Sequence, residues 1–275
     1  MSLRRAAMME KLPVKELEKI LAVFIDGIRL VLRENLLGAY LGGSFAHGGW
    51  DAYSDVDFNI VIDQDLHPGE LESLRVVHAR IFTMDGYYAR HLEGSYFPKA
   101  ILGSLNRTEE PVWYLDNGSL NFERSTHDNT LVNRWVLRER GVILVGPDPE
   151  VWIPPVPEDL LKAEILDTMR MWGREILKGE YKIDNRWAQA FAVLSYCRML
   201  HSLATGEVGS KPDGAAWAKE AVDPKWLPLI EDALSARINQ YAKVYEPADP
   251  DKVQRTLDFI RYALQEAAGV DEEGC

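Results

Sequence analysis

Gly42-Gly43-Ser44 followed by Asp55-Val56-Asp57 restricts this chain more than any other segment. The apolar run 37–41 reads as a strand, the glycines as a turn with a short polar loop after it, and residues 55–62 as a second strand. Side chains two apart on a strand share one face of the sheet. Asp55 and Asp57 are therefore expected to point the same way while Val56 and Phe58 pack behind them. Paired carboxylates of this kind suit magnesium, which keeps several waters and takes one or two carboxylates together with substrate phosphates. Two such ions can hold the attacking and leaving oxygens of a phosphoryl displacement. The glycines supply a complementary feature, because they let backbone approach a phosphate closely, and N–H groups at a turn or helix start attract anions.

Composition narrows the setting for that chemistry. The 275 residues suffice for two domains, and 47% hydrophobic with 27% charged residues is the balance of a soluble globular protein. No apolar run approaches the roughly 18 residues of a membrane span, and residues 1–11 are charged without an apolar signal core. Cys197 and Cys275 are too few for a disulfide framework. A cytoplasmic location without a membrane partner is expected. A formal charge of −12 argues against a nucleic-acid partner, which needs clustered Lys and Arg, and suits a cationic small molecule.

Helical periodicity is expected over 14–35, where Leu17, Ile20, Leu21, Phe24, Ile25, Ile28 and Leu32 recur on one face. Pro68 opens a second helix to about residue 83, with His78 as a structural residue on it. Residues 87–93 are rich in strand formers and end at Gly94. Short strands flank the turn signal Asp116-Asn117-Gly118. A helix over 127–140, with Thr126 or Asp128 near its start, precedes a buried strand from Val142 closed by Gly146-Pro147. After a proline-rich junction, 160–178, 184–204, 214–221, 226–244 and 249–267 all carry helix-spaced apolar residues. The expected division is a catalytic domain over 1–150 and a helical bundle over 151–275.

The Gly-Ser turn with its Asp-x-Asp strand resembles the signature of polymerase-beta-type nucleotidyltransferases. More closely, the chain resembles aminoglycoside adenylyltransferases of the streptomycin/spectinomycin type. The stretches that carry this are 140–147, Pro155-Val156-Pro157, 193–198 running on to Thr205-Gly206-Glu207 and Lys211, and Ala215-Ala216-Trp217-Ala218. The resemblance implies a mixed α+β fold, a polymerase-beta-like nucleotidyltransferase domain followed by an α-helical bundle. It implies ATP as co-substrate, two Mg2+ ions, and transfer of AMP to a hydroxyl of an aminoglycoside-type antibiotic. Glu93 matches the family's catalytic glutamate in its spacing from Asp57, as base, third metal ligand, or both.

By the same resemblance Gly43 and Ser44 would contact the triphosphate, with Arg198 and Lys211 reaching it from the helical domain. Asp184 matches an acidic acceptor-binding position, and Trp187 offers an aromatic wall to a cationic sugar. Ala188 and Phe191 stand where streptomycin-modifying members carry an acid and a histidine or other polar residue. Trp113, Asp116 and Glu123 are further candidates to line the acceptor site, and Tyr241 or Tyr245 to stack on adenine. A different acceptor, such as a metabolite or a protein side chain, stays open, as does a non-catalytic nucleotide-binding regulator. The oligomeric expectation is a monomer or weak homodimer.

Overall fold

The computed structural model describes residues 15–237 and 240–273. Val14, the side chain of Tyr241, and Cys275, each of which figured in the expectations above, lie outside that description. The chain divides into two compact units, Met1–Val156 and Pro157–Cys275.

The first unit is built on a mixed sheet of six strands: β1 (Leu36–Leu41), β2 (Val56–Ile62), β3 (Leu92–Pro98), β4 (Val112–Leu115), β5 (Phe122–Ser125) and β6 (Val142–Val145), in the order β5-β4-β3-β2-β1-β6. β2 and β3 run parallel, and the other neighbours are antiparallel. Strict alternation splits β2 between two cores. Val56, Phe58, Ile60 and Ile62 pack under helix α1 (Lys15–Leu32), where Phe24 meets Phe58 with ring centroids 5.0 Å apart. Val61 belongs to a second cluster with Tyr40, Phe97, Leu137 and Ile143 on the opposite face. Asp57 and Asn59 alternate with the first set and so share the face of Val61. Burying a side chain the size of Phe58 contributes roughly 2–3 kcal/mol, which fixes the register and with it the face that carries Asp57.

Three local expectations are corrected. The Gly-Gly-Ser turn continues as a short helix, α2 (Gly43–His47), closed by Gly48 in the left-handed conformation, where a polar loop was expected. Of residues 87–93 only the last two are strand: Tyr88–Arg90 form a 3-10 turn, and β3 starts at Leu92 and runs on through Gly94. Tertiary packing overrides the β-propensity of the tyrosines there. Tyr87 stacks on His91 and Tyr88 is buried against Phe45, and both contacts need the bend. Glu93 consequently lies near the beginning of a strand. The helix expected from residue 127 starts four residues later as α5 (Leu131–Arg140), capped by Thr130, whose Oγ1 accepts from Asn133 N at 3.0 Å. Asp128 is drawn out of capping by Ser95, whose hydroxyl donates to Asp128 Oδ2 at 2.7 Å.

Two further helices complete the elements used below in this unit, α3 (Pro68–Phe82) against α1 and α4 (Lys99–Leu102) after β3. His78 is structural: it is buried on α3 with Nε2 2.9 Å from Tyr96 Oη, and burial pushes its pKa down to about 3.

The second unit is helical: α6 (Glu158–Lys178), α7 (Arg186–Thr205), α8 (Lys211–Ala221), α9 (Leu227–Ala236), α10 (Gln240–Lys243) and α11 (Pro250–Glu273). The helix expected over 226–244 is thus broken into shorter pieces. α7 is buried on nearly every side, as a central helix must be. Asn185 caps it, with Oδ1 accepting from Ala188 N at 2.8 Å. Gly214 on α8 has no room for a side chain, since a Cβ there would stand 2.5 Å from Arg198 Cα. Among the described residues no helix is long and apolar enough to cross a membrane.

Candidate active site

The carboxylates are assembled by main-chain register. In the parallel pair β2–β3, Asp57 is the direct partner of Glu93. Parallel neighbours lie about 4.8 Å apart and their side chains leave the sheet on the same face, so the two acids are adjacent even though 35 residues separate them in the chain. β1 delivers the glycines to the same place. Gly42 N donates to Asp57 O at 2.8 Å, and a Cβ on Gly43 would fall 1.7 Å from Asp57 Oδ2. Gly43 also has φ +49°, a conformation that costs other residues energy. That glycine is required on two independent grounds, backbone conformation and contact with the carboxylate.

Asp55 precedes β2 and is held from the β4–β5 turn. Asn117 Nδ2 donates to Asp55 Oδ1 at 2.7 Å, while Asn117 Oδ1 lies 2.9 Å from His91 Nδ1. Glu93 is bound on its far side by Tyr114, whose hydroxyl donates to Glu93 Oε1 at 2.6 Å, with His127 Nε2 3.6 Å from the same oxygen. Burial pushes the Glu93 carboxyl up to about 7. Donation from Tyr114 and the nearby His127 work against that rise, and the charges of Asp55 and Asp128 add to it. Burial likewise raises Asp128, and burial together with the Glu93 carboxylate holds the Tyr114 hydroxyl protonated far above its ordinary range. A buried carboxyl that titrates near neutrality beside two other carboxylates is the form expected of a general base.

Among the described residues no three His, Cys, Asp or Glu side chains enclose a metal by themselves. The donor set nevertheless fits magnesium, which needs only one or two carboxylates when phosphate oxygens and water complete its shell. Asp57 and Asp55 would be the oxygen donors, and a dication would relieve the crowding of negative charge around Glu93. One buried hydroxyl would also suit an anion. Ser44 Oγ, in the first turn of α2, is buried and has no hydrogen-bond partner in the structure. A buried hydroxyl in that state costs free energy unless a ligand satisfies it.

The remaining candidates separate. Trp113 pairs with Tyr96 in the β3–β4 ladder and packs against the α1-side core, on the opposite face from Glu93, with Arg124 4.7 Å above its ring. Alternation along β4 gives the carboxylate face to Tyr114 instead. Asp116 accompanies it, with Oδ1 3.1 Å from Tyr114 Oη, and Glu123 is Tyr114's exposed partner on β5. In the helical unit Asp184 is exposed, and its carbonyl accepts from Ala248 N at 2.9 Å. Trp187 stacks on Phe191 at 5.1 Å, and Lys211 Nζ lies 4.1 Å from the centre of the Phe191 ring. Arg198 lies two helical turns beyond Phe191 on α7, where α8 packs closely. Ala188 is buried, and Tyr245 is 89% exposed. Sequence reasoning missed Tyr114, Asn117 and Ser95. Only the Asp116-Asn117-Gly118 turn signals the hairpin there, and its register depends on pairing that no local pattern displays.

Residues 152–264 match the family described as aminoglycoside adenylyltransferase, C-terminal domain. Over 95% of this chain and 99% of the relative, the sequence is 26% identical to an aminoglycoside (3'') (9) adenylyltransferase of Shigella flexneri. A spectinomycin 9-adenylyltransferase of Staphylococcus aureus is 25% identical over 72% of this chain and 76% of its own length. Among solved structures, the spectinomycin adenyltransferase of Enterococcus faecialis, determined with ATP and spectinomycin, superposes with a TM-score of 0.66 over 90% of this chain and 99% of that one. Its identity of 17% speaks to the mixed α/β fold alone. The chain is similar to aminoglycoside adenylyltransferases, residues 152–264 matching the description of their C-terminal domain, and it is an enzyme of the nucleotidyltransferase class.

Proposed function

We propose that this enzyme transfers AMP from ATP to a hydroxyl of a small cationic acceptor of the aminoglycoside type, with magnesium and with release of pyrophosphate. In this reading residues 1–150 form a polymerase-beta-like catalytic domain and 151–275 a helical domain that adds phosphate and acceptor contacts. The observation that carries it is the register pairing of Asp57 with Glu93 beside Gly43. The names of the relatives support the acceptor class.

Asp55 and Asp57 would hold Mg2+, which when bound supplies charge neutralisation at the phosphates. Gly43 and Ser44 present backbone and hydroxyl to the triphosphate, and Arg198 and Lys211 are its cations. Glu93 accepts the proton of the attacking hydroxyl. The acceptor oxygen forms a bond to the α-phosphorus as the bond to the bridging oxygen breaks, and pyrophosphate leaves with that electron pair. Positioning and electrostatics account for most of the rate. Asp184 and Trp187 are the proposed acceptor contacts, a carboxylate for an ammonium group and a ring for a cationic sugar face.

The test is pyrophosphate release from Mg-ATP against spectinomycin, streptomycin and other hydroxyl-bearing aminoglycosides, with the Asp55→Asn/Asp57→Asn protein as blank. Release with one drug that vanishes in the blank is expected. Tight ATP binding with no release for any drug would sink the antibiotic acceptor and point to a metabolite, a protein side chain or a regulatory role.

A further inference from the structure

We infer that Asn59 and Asn133 are positioning residues that seat the Gly42-Gly43 turn on the strand carrying Asp57; the inference rests on the phosphate role proposed for Gly43 and Ser44 above. On the face of the sheet that carries the carboxylates, three register rows follow one another. Asp57 pairs with Glu93, Asn59 with Ser95, and Val61 with Phe97. The middle row is polar, although Asn59 is only 2% exposed and Ser95 is fully buried. An apolar pair there would continue the core of Val61 and Phe97, so packing alone does not call for an amide at residue 59.

What the amide does follows from its partners. Asn133 on α5 donates through Nδ2 to Asp128 O at 2.9 Å and to Asn59 Oδ1 at 2.9 Å. A main-chain carbonyl can only accept, so Asp128 O fixes which way the Asn133 amide faces; that turns Asn59 Oδ1 towards α5 and Asn59 Nδ2 the other way. A Cβ on Gly42 would stand 3.0 Å from Asn59 Nδ2 and 3.7 Å from Asn133 Oδ1. The backbone of Gly42 therefore rests on the two amides. Its N–H donates to Asp57 O at 2.8 Å, and its carbonyl accepts from Ala46 N at 3.0 Å to open α2, which packs on α5. Ser95 closes the arrangement from β3 by donating to Asp128 Oδ2 at 2.7 Å. Asn59, Asn133, Asp128 and Ser95 thus link two neighbouring strands to α5, with the turn at the edge of that link. Apolar contacts tolerate a range of offsets, whereas hydrogen bonds fix distance and direction. A turn that must meet a phosphate in one place needs the second kind of hold.

The test compares Asn59→Leu, Asn133→Leu and the two together in the full chain. Melting temperature, hydrogen exchange of the Ala46 amide, calorimetric binding of magnesium tripolyphosphate, kcat and KM are measured for each. Either single variant leaves the other amide without its partner and should melt lower than the parent. The double variant replaces both by apolar groups of similar size and should recover most of that loss. Placement of the turn should not recover with it. In all three variants the Ala46 amide should exchange about tenfold faster, tripolyphosphate should bind about 3- to 10-fold more weakly, and kcat should fall about tenfold to a hundredfold.

The inference is overturned if the double variant regains kcat and tripolyphosphate binding in step with its melting temperature, or if a single variant melts lower with Ala46 exchange and kcat unchanged. Should Asn59→Leu not fold, Asn133→Ala at its half-buried site is read alone, and parental exchange and binding in it overturn the inference equally. A parent that binds tripolyphosphate but adenylylates no acceptor would remove the proposed reaction and leave the positioning role standing on exchange and binding. A parent that binds no tripolyphosphate would remove the phosphate role of the turn and the inference with it.

Discussion

The carboxylate face of the sheet and the aromatic face of the helical unit position their functional groups by different means. On the sheet, hydrogen-bond register does the work: Asp57 faces Glu93 because β2 and β3 pair parallel, and Gly43 meets Asp57 because β1 ends there. On the helices, side chains position side chains, with Trp172 and Trp187 fixing Phe191 and Phe191 bearing on Lys211. Backbone register is all-or-none, whereas a ring contact can be weakened by degrees. Substitutions on the sheet should therefore abolish turnover, and those on the helices should rescale affinity.

Asp57→Asn is the most severe way to try that contrast. It removes the charge from the proposed magnesium and phosphate site at the carboxylate most constrained by backbone, and turnover should fall by about a thousandfold or more. Circular dichroism and the melting temperature should stay close to the parent's, because the amide keeps the shape. Residual activity within tenfold of the parent would mean that register does not set the chemistry here.

Gly43→Ala comes next, since it changes no charge and no donor. The added methyl would overlap Asp57 Oδ2, and the backbone has φ +49°. Displacing a catalytic group by about 1 Å can cost about a hundredfold in rate, and single-turnover kinetics with saturating Mg-ATP would measure it. Gly48→Ala is the control: its φ is +71° but a Cβ there meets nothing within 4 Å. Comparable losses in both would shift the cause from contact with Asp57 to backbone strain alone.

Glu93 tests the comparison through pH. Burial pushes its carboxyl up to about 7 in the metal-free protein, and a base acts when deprotonated, so kcat/KM should fall on the acid side, with bound magnesium moving that limb to lower pH. Tyr114→Phe removes a donor that favours the charged carboxylate, so the acidic limb should move to higher pH, with a few-fold loss at pH 7 largely recovered by pH 9. Stability shifts in the opposite sense to activity. A carboxyl whose folded pKa exceeds its unfolded value contributes stability below the unfolded value, and loses it as pH rises through the folded one. The free enzyme should accordingly melt lower at pH 8 than at pH 6, and Glu93→Gln should flatten that difference. A limb that Tyr114→Phe leaves in place would assign it to another group.

These differences also explain how much could be read before the fold was known. Glycine punctuation and strict alternation are local, so β1, β2 and the placement of Val56 and Phe58 behind the acids were visible in a short window. The change of periodicity near the proline-rich junction marked where strands give way to helices alone, whereas the mixed fold class came from the family resemblance. What could not be read depends on distant partners. Tyr87 and Tyr88 score as strand residues but bend because Phe45 and His91 accept their rings. Asp128 reads as a helix cap until Ser95, 33 residues away, claims it. Trp113 looked as good an acceptor wall as any tryptophan, and only the β3–β4 register reveals that it faces away from the carboxylates while Tyr114 faces them.

The smallest expected effect is on the acceptor. Trp187 stands in the first turn of α7 with its ring against Phe191, a partly exposed aromatic surface of the kind that accepts a cationic sugar by cation–π and apolar contact. Trp187→Leu keeps an apolar side chain but loses the π face, and KM for the acceptor should rise about 3- to 5-fold with kcat for bound acceptor nearly constant. Steady-state kinetics with each substrate varied in turn would show it. If instead kcat collapsed while both KM values held, the helical face would be acting as the sheet does, by fixed geometry at the reacting atoms, and the contrast between the two regions would fail.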